Sequence, residues 1–259
     1  MRPVEGLLLD IDGVLVTSWE PIPGAIEAMA AFGEAGLPVC LITNTTTHPR
    51  KELAATLTAA GFTVDPGAIV TAVTATGEHL RRVHPGAPVF LLSDGDARAD
   101  LENVTLVDEP ADADVIVLGG ASRDFTYRTV NAVFRRLMDG ASLVAMHRNM
   151  FWRTAEGFEL DAGAYVTGLE AAAGVRAIVC GKPAAAYFDA ALSVLGVAAE
   201  RAAMVGDDVV NDVEGARAAG LLGILVRTGK FRETDLERGS PDLVVDSLAD
   251  VPALLRSGR

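Results

Sequence analysis

Short apolar runs alternate with longer segments of helical spacing at both ends of the chain. The apolar runs, each typical of a strand buried on both faces, lie at 7–10, 39–43, 177–180, 202–205 and 222–226, with a short one within 242–246. The helical segments lie at 23–34, 49–60, 184–195, 211–219 and near 251–255. This alternation predicts an α/β fold in which helices cover a parallel sheet.

The middle of the chain has an apolar pattern of its own. It predicts strands at 89–92, 115–118 and 143–146, and helices at 127–138 and 165–173. Residues 80–173 are therefore predicted to form a second α/β unit inserted into the first. Residues 1–79 and 174–259 are predicted to form a Rossmann-like core built from both ends of the chain.

Composition and charge narrow the functional classes. Half of the 259 residues are hydrophobic, and the formal net charge of −13 argues against non-specific binding to nucleic acid. No apolar stretch reaches the roughly 18 residues that a membrane helix needs, and the first residues lack the apolar segment of a secretion signal. We therefore expect a cytoplasmic protein that binds neither nucleic acid nor membrane.

Polar side chains follow four of the predicted strands. They are Asp10 and Asp12, then Thr43 and Asn44, then Lys182, and finally Asp207, Asp208 and Asp212. The carboxyl ends of parallel strands share one edge of the sheet, where ligands bind. If the four strands belong to one sheet, the carboxylates of Asp10 and Asp12 should meet those of Asp207 and Asp212.

Carboxylates gathered in this way need a cation. Two of them about 4 Å apart repel by about 4 kcal/mol at an effective dielectric constant near 20. A site made only of oxygen ligands suits Mg²⁺, which also binds the oxygens of substrate phosphates. Lys182 would add a second positive charge, and Thr43 and Asn44 would donate hydrogen bonds. The pattern therefore predicts a magnesium-dependent phosphate site.

The segments "DIDGVL", "ITN", "GKP" and "GDDVVND" occur here in the order and spacing of the four motifs of the haloacid dehalogenase-like (HAD) hydrolases, which the chain resembles. An insert placed after "ITN" resembles subclass IIA, which carries an α/β cap domain of the C2 type. The segments "DAGAYVTGLEAAAGV" and "VRTGKF" resemble the branch that contains the phospholysine/phosphohistidine/inorganic pyrophosphate phosphatases.

The resemblance implies catalytic roles for the core residues. Asp10 would attack phosphorus and form an aspartyl-phosphate, and Asp12 would protonate the leaving oxygen and then activate water. Thr43 and Asn44 would hold the phosphoryl oxygens, and Lys182 would offset the developing charge.

The resemblance also implies a set of metal ligands. Asp10, Asp207 and the backbone carbonyl of Asp12 would bind Mg²⁺. Asp212 would act through water or pair with Lys182. Asp208 occupies a position where related proteins often have Asn or Arg, and the sequence does not place its side chain.

Residues of the insert are candidates for selecting the substrate. His147 and Arg148 follow a predicted strand, and Asp161 precedes a predicted helix. Ends of elements can present polar groups to a ligand, although ordinary loop residues would show the same pattern.

The predicted function is hydrolysis of a small phosphorylated metabolite by a Mg²⁺-dependent phosphatase. A phosphomutase, a dehalogenase and a catalytically inactive relative that binds a phosphorylated ligand are the alternatives. A phospho-receiver module would use about half this length. A homodimer formed through the cap is also expected from the resemblance.

Overall fold

The computed structural model describes residues 3–154 and 157–257, which form two compact units. The first contains the described residues up to 43, residues 50–70 and those from 182 onward. The second contains residues 44–49 and 71–181, so it is wider than the predicted insert at 80–173.

Strands of both units are short and mostly buried. In chain order they are β1 (Gly6–Asp10), β2 (Val16–Thr17), β3 (Glu20–Pro21), β4 (Val39–Thr43), β5 (Ile69–Thr71), β6 (Pro88–Leu92), β7 (Thr105–Val107), β8 (Val115–Leu118), β9 (Ser142–Ala145), β10 (Phe151–Thr154), β11 (Gly157–Leu160), β12 (Ile178–Val179), β13 (Ala202–Gly206), β14 (Leu222–Val226) and β15 (Leu243–Val245).

Helices connect most of these strands. They are α1 (Ala25–Glu34), α2 (Arg50–Ala59), α3 (Ala72–Val83), α4 (Tyr127–Met138), α5 (Ala162–Ala173), α6 (Ala185–Leu195), α7 (Gly215–Ala218) and α8 (Val251–Ser257). No α-helix among the described residues combines the length and the apolar character that crossing a membrane requires.

A six-stranded sheet of order β15-β14-β13-β1-β4-β5 forms the centre of the first unit. Strand β1 pairs in parallel with β13 on one side and β4 on the other, and every one of its residues is buried. A strand covered on both faces must be apolar throughout, which explains "GLLL" before Asp10. The predicted parallel α/β fold is confirmed.

The second unit has a five-stranded parallel sheet of order β12-β9-β8-β6-β7. Its strand β12 comes from the segment 177–180, which was expected in the core sheet. That expectation was wrong: Ile178 pairs with Val144 of β9. A run of four apolar residues fits either sheet equally well, so periodicity could not assign it.

Helix α3 and the strands β7, β10 and β11 of the second unit are absent from the sequence-based prediction. Helix α3 buries Val73 and Leu80 in the same apolar cluster as Val115 of β8, which explains why the unit begins before residue 80. Strands β10 and β11 pair as an antiparallel hairpin where loops were expected. Its two strands have four residues each, the shortest run over which alternation of apolar and polar residues indicates a strand.

Candidate active site

Three buried carboxylates meet at the carboxyl edge of the core sheet. Asp10 ends β1, Asp207 follows β13, and Asp212 lies on the turn after it. One oxygen of each lies within 4.8 Å of the others. Strands β1 and β13 are parallel neighbours, with Leu9 opposite Val205, so their ends must deliver Asp10 and Asp207 to the same place.

A π-helical turn at Val209–Glu214 brings Asp212 back toward β13, where a longer α-helix was expected. Asp208 caps this turn, because its side chain accepts hydrogen bonds from the backbone of Val210 and Asn211 and from the Asn211 amide. Burial alone would raise the pKa of Asp208, but these hydrogen bonds outweigh it and lower the pKa. Asp208 therefore shapes the turn.

The side chain of Lys182 joins two of the carboxylates. Its Nζ lies 2.7 Å from Asp10 Oδ1 and 2.7 Å from Asp212 Oδ1, and the lysine is buried. Burial alone would lower the pKa of Lys182, but Asp10 and Asp212 outweigh it and raise the pKa. Asp212 is thus the partner of Lys182 that the sequence suggested. This holds although β12, the strand that precedes Lys182, belongs to the sheet of the second unit.

Metal-free carboxylates in this cluster hold their protons more tightly than exposed ones. Burial, followed by the charge of Asp212, raises the pKa of Asp207 to about 6. Burial also raises the pKa of Asp212 to about 6, and it raises the pKa of Asp10 although Lys182 opposes this. The site is therefore short of positive charge at neutral pH.

Asp207 is held in one orientation by two glycines and a backbone amide. A Cβ at Gly13 or at Gly229 would lie 2.1 Å from Asp207 Oδ2, and both glycines have positive φ. Lys230 N donates to the same oxygen at 2.7 Å, and the Thr228 hydroxyl donates to the Gly13 carbonyl. The turn 228–230 thus belongs to the site.

Lys230 is a residue of the site that was not predicted, although its place after an apolar strand is a signal that could have found it. The segment "TGK" follows the apolar strand β14 just as the four recognised clusters follow theirs. It had been used only as a sign of family resemblance.

The carboxylate cluster fits a magnesium ion. Oxygen Oδ1 of Asp207 is buried and accepts no hydrogen bond from any described residue. Burying a carboxylate oxygen without a hydrogen bond costs free energy, and a bound cation would offset this cost. An all-oxygen donor set of this kind matches the preference of Mg²⁺.

Asp12 lies outside this cluster of three, contrary to the expectation that its carboxylate joins it. The Asp12 side chain is exposed, and the backbone of Asp12 forms an isolated β-bridge with Val16 in the turn after β1. In an extended strand, residues 10 and 12 would point to the same face, but β1 ends at Asp10 and Asp12 lies in the turn that follows. An exposed carboxyl group can still exchange protons with solvent.

Thr43 lies at the end of β4 in the first unit, and Tyr187 fixes its backbone. Thr43 N donates to the Tyr187 hydroxyl at 2.9 Å, and this hydroxyl lies 2.7 Å from the carbonyl oxygen of Val70. Asn44 belongs to the second unit, where a Cβ on Gly181 would lie 2.7 Å from its Oδ1.

The three candidates of the second unit differ in their surroundings. His147 and Asp161 are buried, with His147 Nδ1 3.9 Å from Asp161 Oδ2, and burial lowers the pKa of His147. Asp161 Oδ1 accepts hydrogen bonds from Ala121 N and Ala162 N. These contacts give Asp161 a structural role at the start of α5.

Arg148 is engaged in an ion pair. Its guanidinium lies 2.5 Å from Glu170 Oε1, which also accepts a hydrogen bond from Ala177 N. The hydrogen bond from Arg148 is the main reason why the pKa of Glu170 is lowered. Any role of Arg148 toward an anionic substrate would have to compete with this pair.

Comparison with known proteins defines the class. Family models described as haloacid dehalogenase-like hydrolase and HAD-hydrolase-like match residues 7–107 and 179–251. The chain belongs to the HAD-like hydrolases, as its motifs predicted, and the prediction of a hydrolytic enzyme is confirmed.

Individual relatives resemble the chain over nearly its whole length. Haloacid dehalogenase-like hydrolase domain-containing protein 2 from Homo sapiens is 36% identical over 242 residues, 93% of this chain and 90% of the relative. The phospholysine phosphohistidine inorganic pyrophosphate phosphatase of Rattus norvegicus is 34% identical over 260 residues, covering 97% and 94%. The p-nitrophenyl phosphatase structure from Archaeoglobus fulgidus superposes with a TM-score of 0.90 at 27% identity, covering 97% of this chain and 99% of that one.

Proposed function

We propose that the protein is a Mg²⁺-dependent phosphatase that hydrolyses a small phosphorylated metabolite through an aspartyl-phosphate. The observation that carries this proposal is the cluster of three buried carboxylates, with oxygens within 4.8 Å and Lys182 bound to Asp10. Two of the compared proteins are named as phosphatases, which supports the reaction class.

Asp10 is the nucleophile in this proposal. Lys182 holds its Oδ1, so the other carboxylate oxygen attacks phosphorus and forms a new P–O bond. The bond between phosphorus and the leaving oxygen breaks, and that oxygen takes a proton from the Asp12 carboxyl group. The product leaves as an alcohol or its equivalent, and Asp10 carries the phosphoryl group.

Water completes the cycle. The ionised Asp12 carboxylate removes a proton from water, whose oxygen attacks phosphorus while the bond to Asp10 breaks. Inorganic phosphate is released, Asp10 is a carboxylate again, and Asp12 is protonated for the next turnover. In this scheme, Lys182 and the hydroxyl of Thr43 stabilise charge on the phosphoryl oxygens.

Magnesium would be held by the carboxylates of Asp10 and Asp207 and by the backbone carbonyl of Asp12. When bound, it neutralises negative charge on the carboxylates and the phosphoryl group. Lys230 N keeps Asp207 Oδ2 engaged, which leaves Oδ1 available to a metal.

The substrate belongs to the small phosphorylated molecules because, by resemblance, residues of the second unit form a cap. The cytoplasmic location and a homodimer through that cap stay predictions. The phosphomutase and the inactive phospho-ligand binder remain alternatives that a turnover assay separates from the phosphatase.

Release of inorganic phosphate from p-nitrophenyl phosphate tests the proposal. We expect activity with Mg²⁺, none in excess EDTA, and a loss of at least about 10³-fold in Asp10→Asn. Asp124→Asn, which changes an exposed aspartate of the second unit, is the matched control.

Substantial turnover by folded, homogeneous Asp10→Asn would contradict covalent catalysis by this residue. Phosphate transfer between two positions of a substrate, without release, would identify a mutase. Binding of phosphate esters without turnover would identify an inactive relative.

A further inference from the structure

The segment 44–49 follows β4 of the core sheet but belongs to the second unit. It has neither helix nor strand, and it begins with Asn44, to which the family resemblance gives the phosphoryl oxygens. Holding such a segment in one conformation costs conformational entropy, which its contacts must offset. The contacts of 44–49 therefore decide where Asn44 lies.

Loops after two strands of the second sheet contact this segment. Gly120, two residues after β8, donates a hydrogen bond from its amide to Thr46 Oγ1 at 3.2 Å. Asp96, in the loop after β6, donates from its amide to the Thr47 carbonyl at 3.4 Å. The two loops are joined, because Asp94 N donates to the Gly120 carbonyl at 2.8 Å. Since β6 and β8 are paired, the segment is attached to the ends of neighbouring strands.

Two glycines of the second unit make room for the segment. A Cβ at Gly120 would lie 2.7 Å from Thr46 Oγ1, and a Cβ at Gly181 would lie 2.7 Å from Asn44 Oδ1. A larger residue at either position would displace the threonine hydroxyl or the asparagine amide. Contacts this close leave both side chains little freedom to shift.

Thr46 is the buried residue of the segment. It is 4% exposed, whereas the other five residues are only half-buried. A threonine side chain has few accessible rotamers, so its hydroxyl can hold the Gly120 amide in a defined direction. Without that hydroxyl, the buried amide would lose its partner, and the segment would lose its attachment to β8.

We propose that Thr46 is a positioning residue for phosphate binding. Its hydrogen bond with Gly120 N fixes the chain that leaves β4, and with it the side chain of Asn44 two residues earlier. Donors to an anion are effective when they are held in place before the anion binds. This inference rests on the proposed function, because it takes Asn44 as a donor to the phosphoryl group.

Two variants disturb the same hydrogen bond from opposite sides. Thr46→Val removes the acceptor and keeps the shape of the side chain. Gly120→Ala places a Cβ 2.7 Å from Thr46 Oγ1, and outside Thr46 the nearest atom to that Cβ is Asp94 Cβ at 3.8 Å. Both variants should therefore displace the segment with little disturbance elsewhere.

Calorimetric titration of the Mg²⁺-loaded protein with inorganic phosphate measures the effect. We expect each variant to raise the Kd for phosphate by about 5- to 50-fold, because a displaced Asn44 makes a weaker hydrogen bond to the anion. The Kd for Mg²⁺ should stay at the wild-type value, since the carboxylates of Asp10 and Asp207 belong to the first unit. A purely structural role of Thr46 would not change one constant and spare the other.

Thr126→Val and Gly168→Ala are the matched controls in the same unit. The Thr126 hydroxyl also accepts a backbone hydrogen bond, from Thr129 N at 3.1 Å. A Cβ at Gly168 would meet no atom of the described residues within 4 Å. Both controls should keep the wild-type Kd for phosphate. Thr46→Ser, which keeps the hydroxyl, should keep it too.

Wild-type phosphate affinity in folded Thr46→Val or Gly120→Ala would overturn the proposal. An equal loss of affinity in Thr46→Ser would also overturn it, because the hydroxyl would then not be the cause. Circular dichroism verifies the fold of each variant. If Thr46→Val does not fold, Gly120→Ala and Thr46→Ser carry the test.

The binding readout separates this inference from the proposed function. If p-nitrophenyl phosphate is not hydrolysed but the Kd for phosphate depends on Thr46, the reaction fails and the positioning role stands. If the ester is hydrolysed and the Kd for phosphate does not depend on Thr46, the reaction stands and the positioning role fails.

Discussion

At the scale of one residue, Asp207 favours metal binding and lowers the stability of the metal-free protein. Its carboxylate is 1% exposed, lies close to Asp212, and has one oxygen without a hydrogen bond among the described residues. In the metal-free protein these features favour the protonated form. The same features make Asp207 a good ligand once a cation is present, because burial strengthens the attraction between opposite charges.

The raised pKa of Asp207 predicts how pH changes the stability of the metal-free protein. The pKa is about 6 in the folded state and about 4 in the unfolded state, so the ionised group destabilises the fold above pH 6. Asp207→Asn in EDTA should therefore be more stable than wild type at pH 8, by at most about 3 kcal/mol.

That advantage should shrink as the pH falls from 6 toward 4, because wild-type Asp207 then becomes neutral too. Urea denaturation at a series of pH values measures it, with Asp124→Asn as the control. A stability difference that does not vary with pH would contradict the raised pKa. In Mg²⁺ the order should reverse, since the variant loses a ligand.

At the scale of elements, the turns that follow β13 and β14 determine where the side chains of the carboxylate cluster lie. The π-helical turn after β13 returns Asp212 to the cluster, and the turn after β14 packs Gly229 against Asp207. Both turns follow neighbouring parallel strands, since β13 pairs with β14. π-Helical turns are rare, and many of those that occur lie at functional sites.

Gly229→Ala should weaken Mg²⁺ binding more than it weakens the fold. The new Cβ would lie 2.1 Å from Asp207 Oδ2, so the carboxylate or the turn must move, and we expect at least a tenfold rise in the Kd for Mg²⁺. Gly36→Ala is the control, since Gly36 has a similar positive φ of 64° but no atom within 4 Å of the added Cβ.

Gly36→Ala should lose about 1 kcal/mol of stability from backbone strain, measured by urea denaturation. Gly229→Ala should lose more, because its Cβ would also lie 2.6 Å from the Cα of Gly13. Only Gly229→Ala should change the calorimetric Kd for Mg²⁺. Wild-type Mg²⁺ affinity in Gly229→Ala would show that the turn does not position Asp207.

At the scale of the whole molecule, the chain divides into one unit that carries the carboxylate cluster and another whose role is expected to be selection. The core residues treat only the phosphoryl group, which all candidate substrates share. Differences between substrates must then come from elsewhere, such as the second unit. His147 and Asp161 are buried together, whereas Arg148 is partly exposed.

This division predicts different kinetic signatures for the two units. Lys182→Met should lower kcat/KM by a similar factor, at least about 100-fold, on every phosphate ester of a substrate panel. Arg148→Ala should change the ratios of kcat/KM among those substrates by about 3- to 100-fold.

Equal losses on all substrates in Arg148→Ala would contradict a role in selection. Lower stability with unchanged ratios would assign Arg148 to its pair with Glu170 alone. Thermal denaturation of the variant distinguishes these two outcomes.

Much of the fold could be read from the sequence because buried parallel strands leave a strong signal. The strands at 39–43, 115–118 and 222–226 were predicted with their observed bounds, as was the helix at 127–138. Helix α3 was missed because its buried face includes Thr76, Gly77 and His79, which are not apolar, and strands β7, β10 and β11 were missed because they are only three or four residues long. The carboxylates Asp10, Asp207 and Asp212 were predicted to meet because each follows a strand of a parallel sheet.

The class of fold, the family and the residue types at the strand ends follow from the amino-acid sequence alone. Those features depend on local periodicity and on short motifs, which a single chain displays directly. Tertiary structure decided which sheet takes β12, that Asp12 lies outside the carboxylate cluster, and that Lys230 belongs to the site. These outcomes depend on contacts between positions as distant as Gly13, Asp207 and Gly229, and no local pattern encodes the packing of such positions.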